Sequence, residues 1–499
     1  MSDVHLSYVN EVYCRVESDM GITMELSDTL TWKAENYRFH PKYKCGMWDG
    51  NISLVNKGTR LVYIGLLDRI RQFCEERDYS FSYDEKLNPI AISDETLKRF
   101  IEWVDLPKEL EVREYQFETI KQCIQNKRLT VLSATGSGKS LSIYLTGLWY
   151  IENHKQKVLV IVPTISLVSQ LQSDLRDYGF EGKIETSING LSKSDNIDTD
   201  FCITTWQSLS NGKTSMHKSW YNQFGVVIGD EAHQAKSTML VKILSSMTNT
   251  PHRFGFTGTL SDDELNVATI EGLFGKQFKA ISAKEMIELS FSTPIKIKCL
   301  VLKYPEEVCK EFHKGVYDPK SGKIKKKSYQ DEVNFLLKYE ARNKFIKNLV
   351  KSLDGNKIVF FRFEEHGKEL YAMMEKGSDN IFYIDGTISV DIREQIRHAI
   401  EEEENCTLLG SLGTVSTGSN FKKLKHMVAA HPSKSKIKVL QSIGRMLRLH
   451  PSKSEVYLYD IVDDLSYKSK RNYLLDHFLE RVKIYTKEGF PFKVYKTKV

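Results

Sequence analysis

Residues Thr130-Val131-Leu132-Ser133-Ala134-Thr135-Gly136-Ser137-Gly138-Lys139-Ser140 decide how this chain is read. An apolar segment ends at Leu132, two glycines follow, and a helix-compatible run extends from Leu141 to Tyr150. Strand, tight loop and helix start are the context that a phosphate-binding loop requires. Gly136 and Gly138 let backbone N–H groups face an anion with no Cβ in the way. The helix N-terminus adds partial positive charge. Lys139 is then placed to bridge the β- and γ-phosphates of a nucleotide, and the Ser140 hydroxyl to take one Mg2+ position. Ser133 stands where the general pattern has glycine, so the loop alone also admits a chance Gly-rich turn.

A second stretch supports the first. Asp230-Glu231-Ala232-His233 directly follows the apolar run Val226-Val227-Ile228-Gly229. Acids at the carboxyl end of a buried strand lie where α/β sheets bind ligands. Asp230 would hold Mg2+, and Glu231 would act as general base or orient the water that attacks the γ-phosphate. The alternative, two acids that merely cap the next helix, loses weight once the upstream loop is counted. Loop and acidic pair together point to a nucleotide hydrolase that uses Mg2+.

The short apolar runs Val158–Val162, Phe201–Thr204, Val226–Ile228 and Phe254–Phe256 alternate with helical stretches. That pattern predicts a parallel, doubly wound sheet. A second series follows Pro294, at Ile358–Phe361, Ile381–Ile384, Thr407–Leu409, Met427–Ala430 and Val456–Ile461. The fold class expected is therefore α/β: two tandem domains with doubly wound parallel sheets, preceded by a small α+β domain. The expected boundaries are 1–105 for an accessory nucleic-acid-binding domain, 106–290 and 291–465 for the two α/β domains, and 466–499 for a helical tail. In the first of these, Leu6–Val16 reads as a strand and Leu61–Arg77 as a helix.

The 499 residues suit about three domains, and 41% hydrophobic with 27% charged residues suits a soluble chain with real cores. The net charge of +6 decides little, but from Lys434 to Val499 there are 15 Lys and Arg against 7 Asp and Glu. Such an excess fits a polyanionic partner or a solvated basic surface. The eight cysteines are scattered without a C-x-x-C pair, which argues against metal ligation and a disulfide framework. With no basic-then-apolar leader and no apolar run of membrane-spanning length, the expectation is a cytoplasmic protein that is not inserted in a membrane.

Between Trp32 and Gly50, the cations Arg38, Lys42 and Lys44 interleave with Tyr37, Phe39, Tyr43 and Trp48. This mixture can grip a phosphate backbone and stack on bases. The other reading is a core of aromatics with solvated cations around it. The segment Tyr317–Lys327 reads as a turn and a basic run in an exposed loop, and Tyr473–Val482 as a docking helix.

Asp-Glu-Ala-His also marks a family: the chain resembles superfamily 2 helicases, motif by motif, over about residues 110 to 465, which implies two RecA-like domains that use ATP and Mg2+. Tyr115-Gln116 is similar to that family's adenine-sensing segment. Val162-Pro163-Thr164 and Thr205-Trp206-Gln207-Ser208 look like its two strand-end segments on the nucleic-acid backbone. Thr257-Gly258-Thr259 resembles its coupling motif, and Thr417-Gly418-Ser419-Asn420-Phe421 its motif-five loop. Gln441-Ser442-Ile443-Gly444-Arg445-Met446-Leu447-Arg448 matches the pattern Q-x-x-G-R-x-x-R. Gln441, Arg445 and Arg448 have the spacing of one helix face, and a guanidinium can hold phosphate oxygens bidentately. An arginine finger of this kind contributes on the order of 10³-fold or more in rate. A solvent-facing basic helix would leave Gly444 unexplained.

The N-terminal Tyr-Arg-Phe-x-Pro and Trp-Asp-Gly stretches, joined to this core, resemble UvsW-type bacteriophage helicases, which are RecG-like. The resemblance implies an ATP-dependent helicase or translocase on branched DNA, with Holliday junctions, stalled forks and R-loops as substrates. It also implies duplex and branched DNA, and RNA–DNA hybrids, as partners, with recombination or single-strand-binding proteins nearby and a monomeric state. The implied site comprises Gln116, Thr135, Gly136, Ser137, Gly138, Lys139, Ser140, Asp230, Glu231, Gly418, Gln441, Arg445 and Arg448. Arg38, Lys42, Lys44, Pro163, Thr164, Thr205, Trp206, Gln207 and Thr417 are the implied nucleic-acid contacts. A duplex translocase subunit of a restriction or remodelling system, an RNA helicase, and a binding module with a vestigial nucleotide site remain as alternatives. The intact Lys139, Ser140, Asp230, Glu231 and Arg445 argue against the last.

Overall fold

The computed structural model describes all residues except 1, 195, 211–217, 237, 261, 319–322, 376–379, 416–420, 432–442 and 445–446. The chain forms two compact units, residues 1–134 with 138–281, and residues 282–499 with 135–137.

In the first unit, seven parallel strands lie in the order Gln277–Ile281, Arg128–Ser133, His252–Thr257, Phe224–Asp230, Lys157–Val162, Phe201–Thr205, Ile184–Thr186. The central strands are buried on both faces, as parallel sheets covered by crossover helices must be. Val158, Val160, Val162, Ile203 and Ile228 meet the helices Glu114–Asn126 and Lys139–His154 in one core. The opposite face packs Leu159, Cys202 and Val227 against the helices Thr238–Ser246 and Glu264–Phe274. These layers bring the ends of four strands, at Ser133, Val162, Asp230 and Thr257, to one edge of the sheet.

A smaller sheet precedes them, in the order Leu61–Tyr63, Tyr13–Ser18, Val4–Tyr8, Phe81–Tyr83, and has a core of its own. The stretch read as a single strand, Leu6–Val16, is a hairpin. Asn10 turns it by accepting from the backbone N–H of Val12 and Tyr13 at 2.8 and 3.1 Å. The stretch Leu61–Arg77 begins as a strand paired with Tyr13–Arg15 and becomes helical at Leu67.

This small sheet packs tightly on the large one within the first unit. A Cβ on Gly65 would come 2.0 Å from the Glu271 carbonyl oxygen, so only glycine permits that approach. Arg69 pairs with Glu271, and Arg128 at the start of its strand pairs with Glu11 at 2.6 Å. The Glu11 N–H also donates to the Thr248 carbonyl at 3.0 Å.

The second unit repeats the architecture. Its parallel order is Ile381–Ile384, Thr407–Ser411, Lys357–Phe361, His426–Ala429, Val456–Asp464, Ile295–Lys303, Phe492–Lys498. The tail beyond residue 466 contains the expected helix, Tyr473–Lys487, but it also supplies the strand Phe492–Lys498, so it is not purely helical. The basic segment after Gly315 is a two-stranded hairpin, Val316–Asp318 with Lys323–Lys325. Part of the basic excess after Lys434 is internal, because Arg481 is buried in a bidentate pair with Asp460.

Candidate functional site

The loop between the strand Arg128–Ser133 and the helix Lys139–His154 has Gly136 at φ 85° and Gly138 at φ 77°. Both angles lie in the left-handed region that L side chains rarely adopt, which accounts for glycine at both places. Gln116 is 3% exposed and is locked from both ends. Its carbonyl oxygen accepts from Arg113 N–H at 3.0 Å, and its amide donates to the Gly138 carbonyl at 3.2 Å. A Cβ on Gly138 would stand 2.6 Å from that amide nitrogen.

Lys139 begins the helix, and its Nζ lies 3.7 Å from Glu231 Oε1. Their side chains are only 13% and 21% exposed, so the pair is largely shielded from water. The Ser140 hydroxyl is 2.7 Å from the Tyr178 hydroxyl, a partner contributed just after the helix Ile165–Asp177. Tyr178 carried no signal in the sequence.

Asp230 ends its strand, and its Oδ1 accepts from the Glu231 N–H at 3.0 Å. Burial pushes its carboxyl up to about 6, Glu231 adds to the rise, and Lys139 opposes it. A carboxylate held in this way gains from any cation placed beside it. Glu231 has φ 54°, a left-handed conformation in a residue other than glycine, asparagine or aspartate. Such strain persists only where the surroundings enforce it, and it clusters at functional positions.

Behind the acids, His233 Nδ1 stands 3.3 Å from Glu231 Oε2 and 3.1 Å from Thr257 Oγ1. The Thr257 hydroxyl donates to the Thr259 carbonyl at 2.9 Å. The Asp-Glu-Ala-His and Thr-Gly-Thr segments, separate in the sequence, thus form one line of polar contacts: Lys139, Glu231, His233, Thr257.

Thr164 and Thr205 occupy the N-caps of the helices Ile165–Asp177 and Trp206–Leu209 and accept from Leu167 N–H and Ser208 N–H. Pro163 is buried, Trp206 half-buried and Gln207 exposed. In the lobe between Thr31 and Ser53, Tyr37 packs edge-on against Tyr43, and His40 against Trp48. Arg38, Lys42 and Lys44 are exposed around them, and Phe39 and Met47 are 74% and 77% exposed. The lobe thus has a small aromatic centre, and its cations with two apolar side chains face outward.

In the second unit, the Arg448 carbonyl accepts from the Thr293 hydroxyl at 3.2 Å, and the Leu447 carbonyl from Thr293 N–H at 2.6 Å. Thr417, Gly418, Gln441 and Arg445 lie outside the described residues. Thr135 and Gly136 are partly or fully exposed on the loop, and Ser137 is buried. Among the described residues no helix is long and apolar enough to cross a membrane. All eight cysteines are free, seven of them buried and Cys45 exposed.

Three segments of the chain match known families. Residues 3–84 match the N-terminal family of the DNA helicase UvsW, and residues 109–262 match the res subunit of type III restriction enzymes. Residues 340–450 match the conserved C-terminal helicase domain. The putative HsdR subunit of a type I restriction enzyme from Vibrio vulnificus shares the fold at 17% identity, with a TM-score of 0.58 over 97% of this chain and 85% of that one. The crystal structure of T4 UvsW aligns with a TM-score of 0.52 and 29% identity over 99% of both chains. In sequence, the chain is 32% identical to the ATP-dependent DNA helicase uvsW of Enterobacteria phage T4 over 520 residues, covering 99% of each. On that end-to-end likeness the chain belongs to the UvsW-type family of ATP-dependent superfamily 2 helicases.

Proposed function

We propose that this protein is a DNA helicase that remodels branched DNA at the expense of ATP, moving Holliday junctions, regressing forks and dissociating R-loops during recombination, repair and replication. The observation that carries the reading is the exposed cationic lobe with Phe39 at its surface, in the same compact unit as the line Lys139, Glu231, His233, Thr257. Lys139 compensates charge on the γ-phosphate, Glu231 takes the proton of the attacking water, and His233 with Thr257 holds Glu231 in its strained conformation. Ser140 and Asp230 are hard oxygen donors that suit Mg2+, which when bound supplies charge compensation at the phosphate oxygens. Gln441, Arg445 and Arg448 take the guanidinium role of the family's last motif, and Thr417 and Gly418 that of its motif-five loop. Arg38, Lys42 and Lys44 grip phosphates, and the strand-end segments with Pro163 and Thr164, and with Thr205, Trp206 and Gln207, take the family's place on the nucleic-acid backbone, Gln207 from an exposed position.

A second reading, a translocase that runs on duplex without separating strands, is favoured by the match of residues 109–262 to restriction-enzyme subunits. ATP turnover and strand products, measured on single-stranded, duplex, forked and four-way DNA, separate the two. Branched substrates should stimulate most and yield exchanged strands. Equal stimulation by plain duplex with no strand product would establish the translocase. The double charge reversal Lys42→Glu, Lys44→Glu should lower fork-stimulated turnover about tenfold and flatten the salt dependence of DNA affinity by about two counter-ions. Removing residues 1–105 is the poorer experiment, because that segment packs into the first unit through Gly65, Arg69 and Glu11.

A further inference from the structure

At the edge of the first large sheet opposite the phosphate loop, a cavity of about 380 Å³ opens beneath the small sheet. Its floor is the N-terminal ends of strands: Arg128 and His252 each begin one, and Lys276 immediately precedes another. Asp230, Thr257 and the phosphate loop lie at the carboxyl ends of the same sheet, so the cavity is a separate place.

The charges around it do not balance. Of the acids in its wall, Glu11 is taken by Arg128 at 2.6 Å and Asp68 by Arg71 at 2.9 Å. Lys86 only shares Glu11, at 4.0 Å, and lies over the Tyr8 ring. Lys127 reaches only a carbonyl, that of Lys86 at 3.3 Å, and Lys276 is exposed with no carboxylate partner among the described residues. His252 is 8% exposed, its ring lies tilted against that of Tyr150 with centroids 4.0 Å apart, and its buried Nδ1 has no hydrogen-bond partner among the described residues.

We propose that this cavity binds a small organic phosphate of nucleoside-monophosphate size. The surplus ammonium groups of Lys127, Lys276 and Lys86 take the phosphate. Leu87, Pro89 and Ile90 in the same wall cover an apolar or flat body. Inorganic phosphate would leave most of the volume unfilled, whereas organic ligands occupy pockets of roughly 300–1,000 Å³. The local field is cationic and suits an anion. Lys127 is held below its ordinary value by burial and by Arg128 and Lys86. His252 is depressed to about 3 by burial and by His154, Arg128 and Lys127. The nucleoside phosphate could be a free nucleotide or the 5′-phosphorylated end of a strand.

The test is calorimetric titration of the full chain with thymidine 5′-monophosphate, with ADP saturating the phosphate loop. Binding is expected, with inorganic phosphate at least tenfold weaker. Lys276→Glu, at an exposed position, and Lys127→Asn, which tolerates the left-handed backbone there, should each weaken thymidine monophosphate about tenfold or more. Both variants should keep their melting temperature within about 2 °C. Oligothymidylates with and without a 5′-phosphate distinguish the sources: a preference for the phosphorylated strand that Lys276→Glu abolishes identifies a strand end, and no preference identifies the free nucleotide. Absence of binding at millimolar thymidine monophosphate, or an affinity that Lys276→Glu leaves unchanged, overturns the proposal.

Discussion

In the first large sheet the half-buried acid Asp230 sits at a strand end, pushed up to about 6 by desolvation, beside a lysine and a strained glutamate. In the second, Asp460 and Asp463 sit within one strand and every near contact is supplied. Asp463 accepts from Arg342 Nε at 2.8 Å, Arg342 Nη2 at 3.1 Å and Tyr304 Oη at 2.7 Å. Asp460 accepts from Arg481 Nε at 2.8 Å, Arg481 Nη2 at 2.9 Å and Tyr485 Oη at 3.0 Å. Nearby, Glu332 accepts from the Asn472 amide and the Tyr473 and Leu474 N–H groups. Two sheets of like topology therefore treat charge differently: in the second the buried aspartates are each held by an arginine and a tyrosine, and in the first a carboxylate is penalised by burial with Lys139 as its main opposing charge.

The largest test of that contrast is in the second unit. Arg342→Met should destabilise it by about 3–5 kcal/mol, because it leaves Asp463 buried with one tyrosine for company. The double variant Arg342→Met, Asp463→Leu should recover most of the loss in denaturant unfolding. If the single variant is as stable as the parent, the pair is not structural.

In the first unit the expectation reverses. Lys139→Ala should lower ATP turnover on the order of 10²–10³-fold while leaving the denaturation midpoint nearly unchanged. Unchanged turnover would remove Lys139 from the site, and a large stability loss would make its pair with Glu231 a structural staple like those of the second sheet.

A smaller effect follows from histidines. Burial holds His366 and His431 down to about 3 and His426 to about 4 in the second unit, and His252 to about 3 in the first. A depressed folded-state value means that the unfolded chain binds the extra proton. The stabilising contribution is present above the unfolded value of 6.5 and is lost as pH falls from there toward 3 to 4, by at most about 1.4 kcal/mol per group per pH unit. Hydrogen exchange should show the second unit opening before the first between pH 6 and 4.5. Simultaneous opening would mean that other groups dominate.

How much of this was legible follows from where side chains stand. The central strands, such as Val158–Val162, are apolar on both faces and declared themselves as runs. Gln277–Ile281 and Phe492–Lys498 went unread because edge strands expose alternate or most residues and leave no run. The hairpin at Asn10 had its signal in the asparagine, which an alternating pattern masked. The phosphate loop and both acids were readable because their chemistry constrains consecutive residues. The link from Glu231 through His233 to Thr257 was not, since it joins the ends of two strands that neighbour each other only in the sheet. The ion pairs on Val456–Asp464 were hidden because a buried aspartate in a strand looks like an interruption until its arginine, more than a hundred residues away in the case of Asp463, is found.

The strand Ile295–Lys303 pairs on one side with Val456–Asp464 and on the other with Phe492–Lys498. During translation it leaves the ribosome about 150 residues before one neighbour and about 190 before the other, a wait on the order of ten seconds at ordinary rates of synthesis. For that interval both its edges are open templates for any other chain. Its sequence, Ile-Lys-Ile-Lys-Cys-Leu-Val-Leu-Lys, places lysines at 296, 298 and 303 among the apolar residues. Those charges make stacking of one nascent copy on another unfavourable, so the strand can wait for its own partners without aggregating.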